Sequence, residues 1–105
     1  FTIMKIEPFG PLVPITTFKH FDEVVERANN HELGLTSYIF TNSMEKAHRA
    51  SELMETGIVA VNTPVVAVAE APFGGIKQTG YGREGGSLGI KDYLNIKYTH
   101  LGLPV

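Results

Sequence analysis

The sequence of 105 residues contains no cysteine. This absence excludes a disulfide framework, a thiolate metal site and a thiol nucleophile supplied by these residues. The chain also lacks an excess of charge of one sign, since nine Lys and Arg face eleven Asp and Glu, for a formal net charge of −2. The basic residues are scattered along the chain, so the pattern predicts no nucleic-acid partner.

Long hydrophobic runs and targeting patterns are missing as well. The most apolar stretch comprises residues 57–61 and 64–69 with a polar break between them, far short of the ~20 residues that a membrane span needs. The first five residues do not show the pattern of a secretory signal peptide. We therefore expect a cytoplasmic protein with no membrane partner. The length predicts one domain with a single core, burying somewhat over ~60% of the surface that the unfolded chain exposes.

Three segments in the first 62 residues have the composition of strands. β-branched and aromatic residues predict a strand over residues 12–18, and similar patterns predict strands over 36–40 and 57–62. The last of these is a continuous apolar run, which is typical of a strand covered on both faces.

Two amphipathic helices separate these strands. Apolar residues at helical spacing predict a helix from Phe21 to about Asn30 and a second helix over 44–54, whose apolar stripe includes Met44. We expect Ser43 to cap the second helix and Gly57 to end it. Helices that alternate with strands favour an α/β fold with a mostly parallel sheet and helical crossovers.

The remaining third of the chain is less regular. Residues 63–86 contain two prolines and six glycines, which predicts a long loop, and loops of this length in compact domains are usually functional. Residues 89–94 predict one or two helical turns. Residues 95–101 alternate well enough for a terminal strand that pairs with something outside the domain.

Simple motif matches do not define a site. Residues 80–85 spell GxGxxG, but no strand delivers this loop and no long helix follows it, so we reject it as a dinucleotide fingerprint. The histidines lack metal-ligand spacing, which predicts no metal site: they are His20, His31, His48 and His100.

Two segments have less ordinary chemistry. The first segment is Glu7-Pro8-Phe9-Gly10-Pro11. In an extended backbone, side chains two positions apart point to the same side, so Glu7 and Phe9 can contact one ligand together. A carboxylate can bind both hydroxyls of a ribose, and a phenyl face can support a flat ring. The alternative is a turn stapled by its phenylalanine. The second segment, residues 71–84, has paired glycines after Phe73 that permit close approach of a ligand or another chain.

Together these segments resemble the carboxyl-terminal part of the aldehyde dehydrogenase superfamily. The family's ExFGP box appears at residues 7–11, its GxVxVN strand at 57–62 and its PFGGxKxSGxGRE block at 72–84, with Thr79 in place of the usual serine. Further matching positions are Asn29, Gly34-Leu35 and Phe40-Thr41. The resemblance implies that residues 1–94 form the end of the catalytic domain and residues 95–105 an oligomerisation strand and tail.

The resemblance also implies a mechanism for the whole enzyme. A cysteine thiolate attacks the aldehyde, hydride passes to NAD or NADP, and an activated water releases the carboxylic acid. The cysteine and the general-base glutamate lie upstream in the family, so this chain would be inactive alone.

The family assigns roles to several residues of this chain. Glu7 is expected to bind the nicotinamide ribose and Phe9 to lie beside the nicotinamide. Phe73 and the Pro64–Ala71 loop are expected to line the aldehyde pocket. Glu84 matches a proton-relay residue, and Arg83 matches one that braces the dimer interface. The resemblance implies a homo-oligomer, a dimer or a tetramer.

The substrate is less well defined. Within the family, residues 89–103 look most like succinate-semialdehyde dehydrogenases. Those enzymes usually carry a serine that holds the substrate carboxylate where this chain has Ala67, so a related semialdehyde or a more apolar aldehyde stays open. The alternative from another class is a stand-alone α/β interaction module that binds a partner through its edge strand.

Overall fold

The computed structural model describes residue 3 and residues 5–104. Its helices are α1 (Phe21–Asn29), α2 (Met44–Leu53) and α3 (Gly86–Gly89), and a 3₁₀ helix (Ile90–Tyr93) follows α3. Its strands are β1 (Leu33–Gly34), β2 (Thr36–Ile39), β3 (Ile58–Val61) and β4 (Ile76–Lys77). The strands form two pairs, β2 with β3 and β1 with β4.

The β2–α2–β3 unit contains the predicted helical crossover between parallel strands. β2 and β3 pair in parallel, with Thr36 opposite Ile58. α2 begins after Ser43, whose side chain accepts a hydrogen bond from the backbone N–H of Lys46, as expected of a helix cap. The buried hydrophobic residues of the described chain belong to this unit, in α2 and β3: Ala47, Ala50 and Ala60.

Two asparagines fasten the ends of these elements. The Asn62 amide accepts from the backbone N–H of Thr41 and donates to its carbonyl oxygen, both at 2.9 Å, and so joins the ends of β2 and β3. The Asn29 amide donates to the carbonyl oxygen of Leu53 at 2.7 Å and accepts from the N–H of Glu55 at 2.8 Å. The end of α1 is thereby fixed against the end of α2.

One strand of the second pair, β4, lies inside the segment 63–86 predicted to be a loop. β1 and β4 pair antiparallel, with Gly34 opposite Ile76. Among the described residues there are therefore two two-stranded sheets, one parallel and one antiparallel, and a mostly parallel sheet is not confirmed. Two residues paired on each strand are too few to give a periodic signal, which is why the sequence did not indicate them.

Two predicted strands are absent from the described chain. Residues 12–18 and 95–101 have no regular secondary structure, and their side chains are open to solvent, with Ile15 87% and Ile96 100% exposed. A strand exists only with a hydrogen-bonded neighbour, and the described chain offers neither segment a neighbour. The strand predicted over residues 12–18 is therefore not formed in the described chain. The strand predicted over residues 95–101 stays a prediction, because its expected partner lies outside the domain.

Two assignments in α2 are also wrong. Met44 is 84% exposed and takes no part in the packed face. The helix ends at Leu53, with Met54 as an extended cap, so Gly57 does not terminate it. Gly57 is needed for close packing instead, because a Cβ there would overlap the carbonyl oxygen of Gly74 and lie 2.8 Å from Cα of Gly75.

The described residues do not form the expected single core. The accessible surface of 9227 Å² is well above the roughly 5,800 Å² expected of a compact domain of this mass. The radius of gyration of 19.4 Å likewise exceeds the roughly 13 Å expected for this length. Most apolar side chains of residues 12–18 and 94–103 are accordingly left open to solvent in the described chain. None of the helices that the structure describes is long and apolar enough to cross a membrane.

Candidate functional site

The glycine-rich segment folds into a hairpin that contains the candidate site. Phe73 and Glu84 form an antiparallel bridge in which each backbone N–H donates to the other's carbonyl oxygen, at 2.7 and 2.8 Å. At the far end of the hairpin, β4 pairs with β1. The hairpin is therefore held to the rest of the chain at its tip and closed on itself at its base.

Arg83 braces the inside of this hairpin. Its guanidinium Nη1 donates to the carbonyl oxygens of Gly75 at 2.8 Å and Gly82 at 2.7 Å. A Cβ on Gly74 would lie 2.7 Å from Cδ of Arg83, so the glycine leaves room for this side chain. The interface role of Arg83 stays a prediction, and the side chain also has a structural role within its own hairpin.

A left-handed turn places the loop at residues 67–69 beside the base of the hairpin. Gly85 and Gly86 have φ values of +71° and +57°, which favour glycine. The turn brings the backbone N–H of Gly86 to the carbonyl oxygen of Ala69 at 2.9 Å. Residues far apart in sequence thus become neighbours.

The result is an open groove, which we call the Ala67 groove, with a volume of about 380 Å³. Its lining is Ala67, Val68, Ala69, Phe73, Glu84 and Gly85. The groove unites three of the residues singled out from the sequence, namely Ala67, Phe73 and Glu84. Phe73 is half-buried and Glu84 is exposed, so an apolar wall faces an accessible carboxylate.

Glu7 and Phe9 do not line this groove. Both are exposed, Phe9 to 95%. Instead of continuing in extended form, the backbone bends over Phe9 and Gly10, and the N–H of Gly10 donates to the carbonyl oxygen of Pro8 at 2.9 Å. The turn follows the Glu7-Pro8 pair, and the shared direction of the Glu7 and Phe9 side chains stays a prediction.

Three residues that the sequence did not indicate as site residues stabilise the hairpin through long-range contacts or a chain reversal. Lys77 has a φ of +58°, and its ammonium group donates to the carbonyl oxygens of Asn29 and His31 and pairs with Glu55. The other two are Thr79, which accepts from the N–H of Gly34 at 2.8 Å, and Asp92. The side-chain hydrogen bonds of Lys77 and Thr79 join residues 45 or more positions apart and the Asp92 contact depends on a chain reversal, so only the fold could identify them.

The perturbed ionisable group among the described residues lies on α1, away from the groove. The backbone N–H of Lys19 and then the Arg27 guanidinium hold the pKa of the Glu23 carboxyl below its ordinary value. No cluster of potential metal ligands occurs in the part of the chain that the structure describes.

Comparison with known proteins identifies the family. The model of the aldehyde dehydrogenase family matches residues 1–99. The 3-sulfolactaldehyde dehydrogenase of Pseudomonas putida is 53% identical over 96 residues, which is 91% of this chain and 20% of that protein. The NADP(+) succinate-semialdehyde dehydrogenase of Escherichia coli is 46% identical over 101 residues, 96% of this chain and 21% of that protein.

Solved structures agree in fold as well as in sequence. An NADP-dependent enzyme of E. coli superposes with a TM-score of 0.91 at 45% identity, over 97% of this chain and 21% of that one. The NAD+ complex of an aldehyde dehydrogenase from Bacillus cereus gives a TM-score of 0.88 at 41% identity, over 91% of this chain and 20% of that one. The chain thus spans about a fifth of the length of its relatives. With the family model covering nearly every residue, the chain belongs to the aldehyde dehydrogenase family.

Proposed function

We propose that this chain is the carboxyl-terminal part of an NAD(P)-dependent aldehyde dehydrogenase that oxidises succinate semialdehyde or a related semialdehyde to the carboxylic acid. The Ala67 groove carries this proposal, because it places an apolar wall and a carboxylate together in a chain of this family. The chain contains no cysteine, so the thiolate nucleophile comes from elsewhere in the complete protein, as does the general base. The cytoplasmic location stays a prediction.

Glu7 and Phe9 suit the nicotinamide end of the cofactor. Both side chains are exposed, with Phe9 95% accessible, so a ligand can reach them without displacing packed residues. A carboxylate accepts hydrogen bonds from both hydroxyls of a ribose, and a phenyl face supports a flat ring. When bound, NAD or NADP supplies the acceptor for the substrate's hydride. These residues bind the part common to both cofactors and so do not choose between them.

The groove residues have separate tasks in this proposal. The apolar side chains of the groove exclude water from the carbon chain of the substrate and set the width of the groove; they belong to Ala67, Val68 and Phe73. The Glu84 carboxylate accepts and passes on a proton at the open side of the groove. The groove lining carries no positively charged side chain, so any cationic partner of a substrate carboxylate comes from the remainder of the protein.

Residues 95–104 form the interface of a homo-oligomer, a dimer or tetramer, in this proposal. Their apolar side chains are open to solvent, with Ile96 100% exposed, and an exposed extended segment pairs readily with a strand of another chain. The division into a catalytic part, residues 1–94, and an oligomerisation strand and tail, residues 95–105, follows from this.

The decisive experiment measures the reduced cofactor formed by the complete protein from NAD+ or NADP+. Succinate semialdehyde and glutarate semialdehyde are compared with neutral aldehydes of matching chain length. We expect the semialdehydes to give the higher kcat/KM. A complete protein that oxidises none of these aldehydes contradicts the proposal. If it is instead a stable monomer that captures a protein partner without nucleotide, the interaction-module alternative is correct.

The variant Ala67→Ser tests the role of Ala67 in substrate recognition. Ala67→Ser adds a hydroxyl donor to the groove and is expected to raise kcat/KM for the semialdehydes about tenfold, given the strength of hydrogen bonds to charged groups. Ala69→Ser, in the same groove, is the matched control. An equal response from both variants, or from neither, removes Ala67 from substrate recognition.

Glu7→Gln tests the cofactor contact. The change preserves shape and removes charge, so we expect the KM for the cofactor to rise about tenfold with the fold intact. Glu26→Gln, on the exposed side of α1, is the control. Wild-type kinetics for Glu7→Gln exclude this residue from the cofactor site.

A further inference from the structure

The backbone at Arg83 and Glu84 is held from two sides. The N–H and carbonyl of Glu84 both bond to Phe73. Since successive N–H groups of an extended strand point in opposite directions, the N–H of Arg83 is directed away from Phe73. The carboxylate of Asp92 accepts from this N–H, with Oδ2 2.8 Å from the nitrogen.

Asp92 reaches this position by a short reversal of the chain. After Glu84, the left-handed Gly85 and Gly86 turn the backbone into α3, and the 3₁₀ helix that follows carries Asp92 back to the strand it has just left. The N–H of Gly89 donates to the carbonyl oxygen of Gly85 at 3.0 Å and closes the reversal.

Gly82 leaves the space that the Asp92 carboxylate needs to reach the Arg83 N–H. A Cβ on Gly82 would lie 2.5 Å from Oδ2 of Asp92, so any other residue would push the carboxylate away. The φ of Gly82 is +85°, which also favours glycine. Gly82 and Asp92 therefore form one unit that clamps the Arg83 amide.

The strand that this unit clamps is a wall shared by two cavities. Phe73 and Glu84 line the Ala67 groove, and they also line a second cavity of about 420 Å³ to which Asp92 belongs. Asp92 does not line the Ala67 groove itself. Asp92 can therefore influence the Ala67 groove only through the backbone, because it bonds to the Arg83 N–H and Arg83 precedes Glu84.

We infer that Asp92 is a positioning residue for Glu84: its carboxylate clamps the Arg83 amide and thereby fixes the wall of the Ala67 groove and the direction of the Glu84 carboxylate. This rests on the proposed function, because it assigns Glu84 a task in aldehyde oxidation. A misplacement of the order of 1 Å at a reacting group can cost as much as a hundredfold in rate. Loss of the Asp92 contact would let Glu84 move, and we expect this to lower kcat more than it changes KM.

The experiment compares Asp92→Ala and Asp92→Asn in the complete protein. The alanine removes the acceptor, whereas the asparagine keeps an oxygen that can accept from the same N–H. We expect Asp92→Ala to lower kcat about tenfold and to alter its pH dependence in the same way as Glu84→Gln. Asp92→Asn should stay within about threefold of wild type. Asp22→Ala is the matched control, since Asp22 is the other aspartate of the chain and its carboxylate contacts Arg49 on α2.

A double variant separates positioning from general stability. If Asp92 acts through Glu84, Asp92→Ala adds little further loss of kcat in a Glu84→Gln background. Fully additive losses overturn the inference. The inference is also overturned if Asp92→Ala has wild-type kinetics although hydrogen exchange shows that its Arg83 amide exchanges faster.

Two outcomes keep this test distinct from that of the proposed function. A wild-type protein without aldehyde oxidation removes the function and the Glu84 assignment together, whereas an active wild type with an unaffected Asp92→Ala removes only the positioning role. Should Asp92→Ala fail to fold, Asp92→Asn decides: a tenfold loss of kcat with unchanged exchange at Arg83 overturns the inference, and retained kcat with retained protection supports it.

Discussion

Replacement of Thr79 by valine tests how the hairpin is attached to the rest of the chain. The Thr79 hydroxyl accepts from the backbone N–H of Gly34 at 2.8 Å, and Gly34 is buried. The Thr79 methyl packs on Gly75, where a Cβ would overlap it. Valine keeps the shape and the methyl but removes the acceptor. The buried Gly34 N–H then loses its partner, at a cost of about 1–3 kcal/mol.

Hydrogen exchange at the Gly34 amide of the complete protein measures this loss directly. A cost of about 1–3 kcal/mol corresponds to exchange that is faster by about 5-fold to 150-fold, since 1.36 kcal/mol is a factor of ten. Thr79→Ser is the matched control, because serine keeps the hydroxyl and loses only the methyl. We expect the serine variant to protect Gly34 almost as well as the wild type.

The attachment of the hairpin by this hydrogen bond is refuted if Thr79→Val protects the Gly34 amide as well as threonine does. It is also refuted if Thr79→Ser and Thr79→Val accelerate exchange equally, because the methyl contact and not the hydrogen bond would then attach the hairpin.

Three further predictions concern stability of the complete protein. Gly57→Ala places a Cβ against Gly74 and should lower the free energy of unfolding by about 1–3 kcal/mol or more; an unchanged denaturation midpoint would contradict this. Arg49→Lys removes the guanidinium group whose Cζ lies 4.6 Å from the Phe21 ring centroid. The free energy of unfolding, measured by urea denaturation, should fall by about 0.5–1 kcal/mol. Because the folded pKa of Glu23 is depressed from 4.5, its small stabilising effect is present above that value and is lost as pH falls below it. Glu23→Gln should therefore make amide exchange in α1 less dependent on acid, and an unaltered acid response would exclude this role.

The sequence by itself determined the parts that depend on near neighbours. Helical periodicity and a capping serine predicted α1 and α2 to within a residue or two, because a helix bonds to residues four apart. The motif blocks at residues 7–11 and 72–84 determined the family, since those residue types recur at fixed spacings.

Tertiary structure alone decided everything that needed a distant partner. Whether residues 12–18 form a strand depends on a neighbouring strand, and strand propensity cannot supply one. The Ala67 groove exists because the left-handed turn at Gly85 and Gly86 returns the chain to Ala69. The hydrogen bond from Gly34 to Thr79 spans 45 positions, and the one from Arg83 to Asp92 depends on a full chain reversal. Local patterns do not encode such contacts, because only folding brings their partners within hydrogen-bond distance.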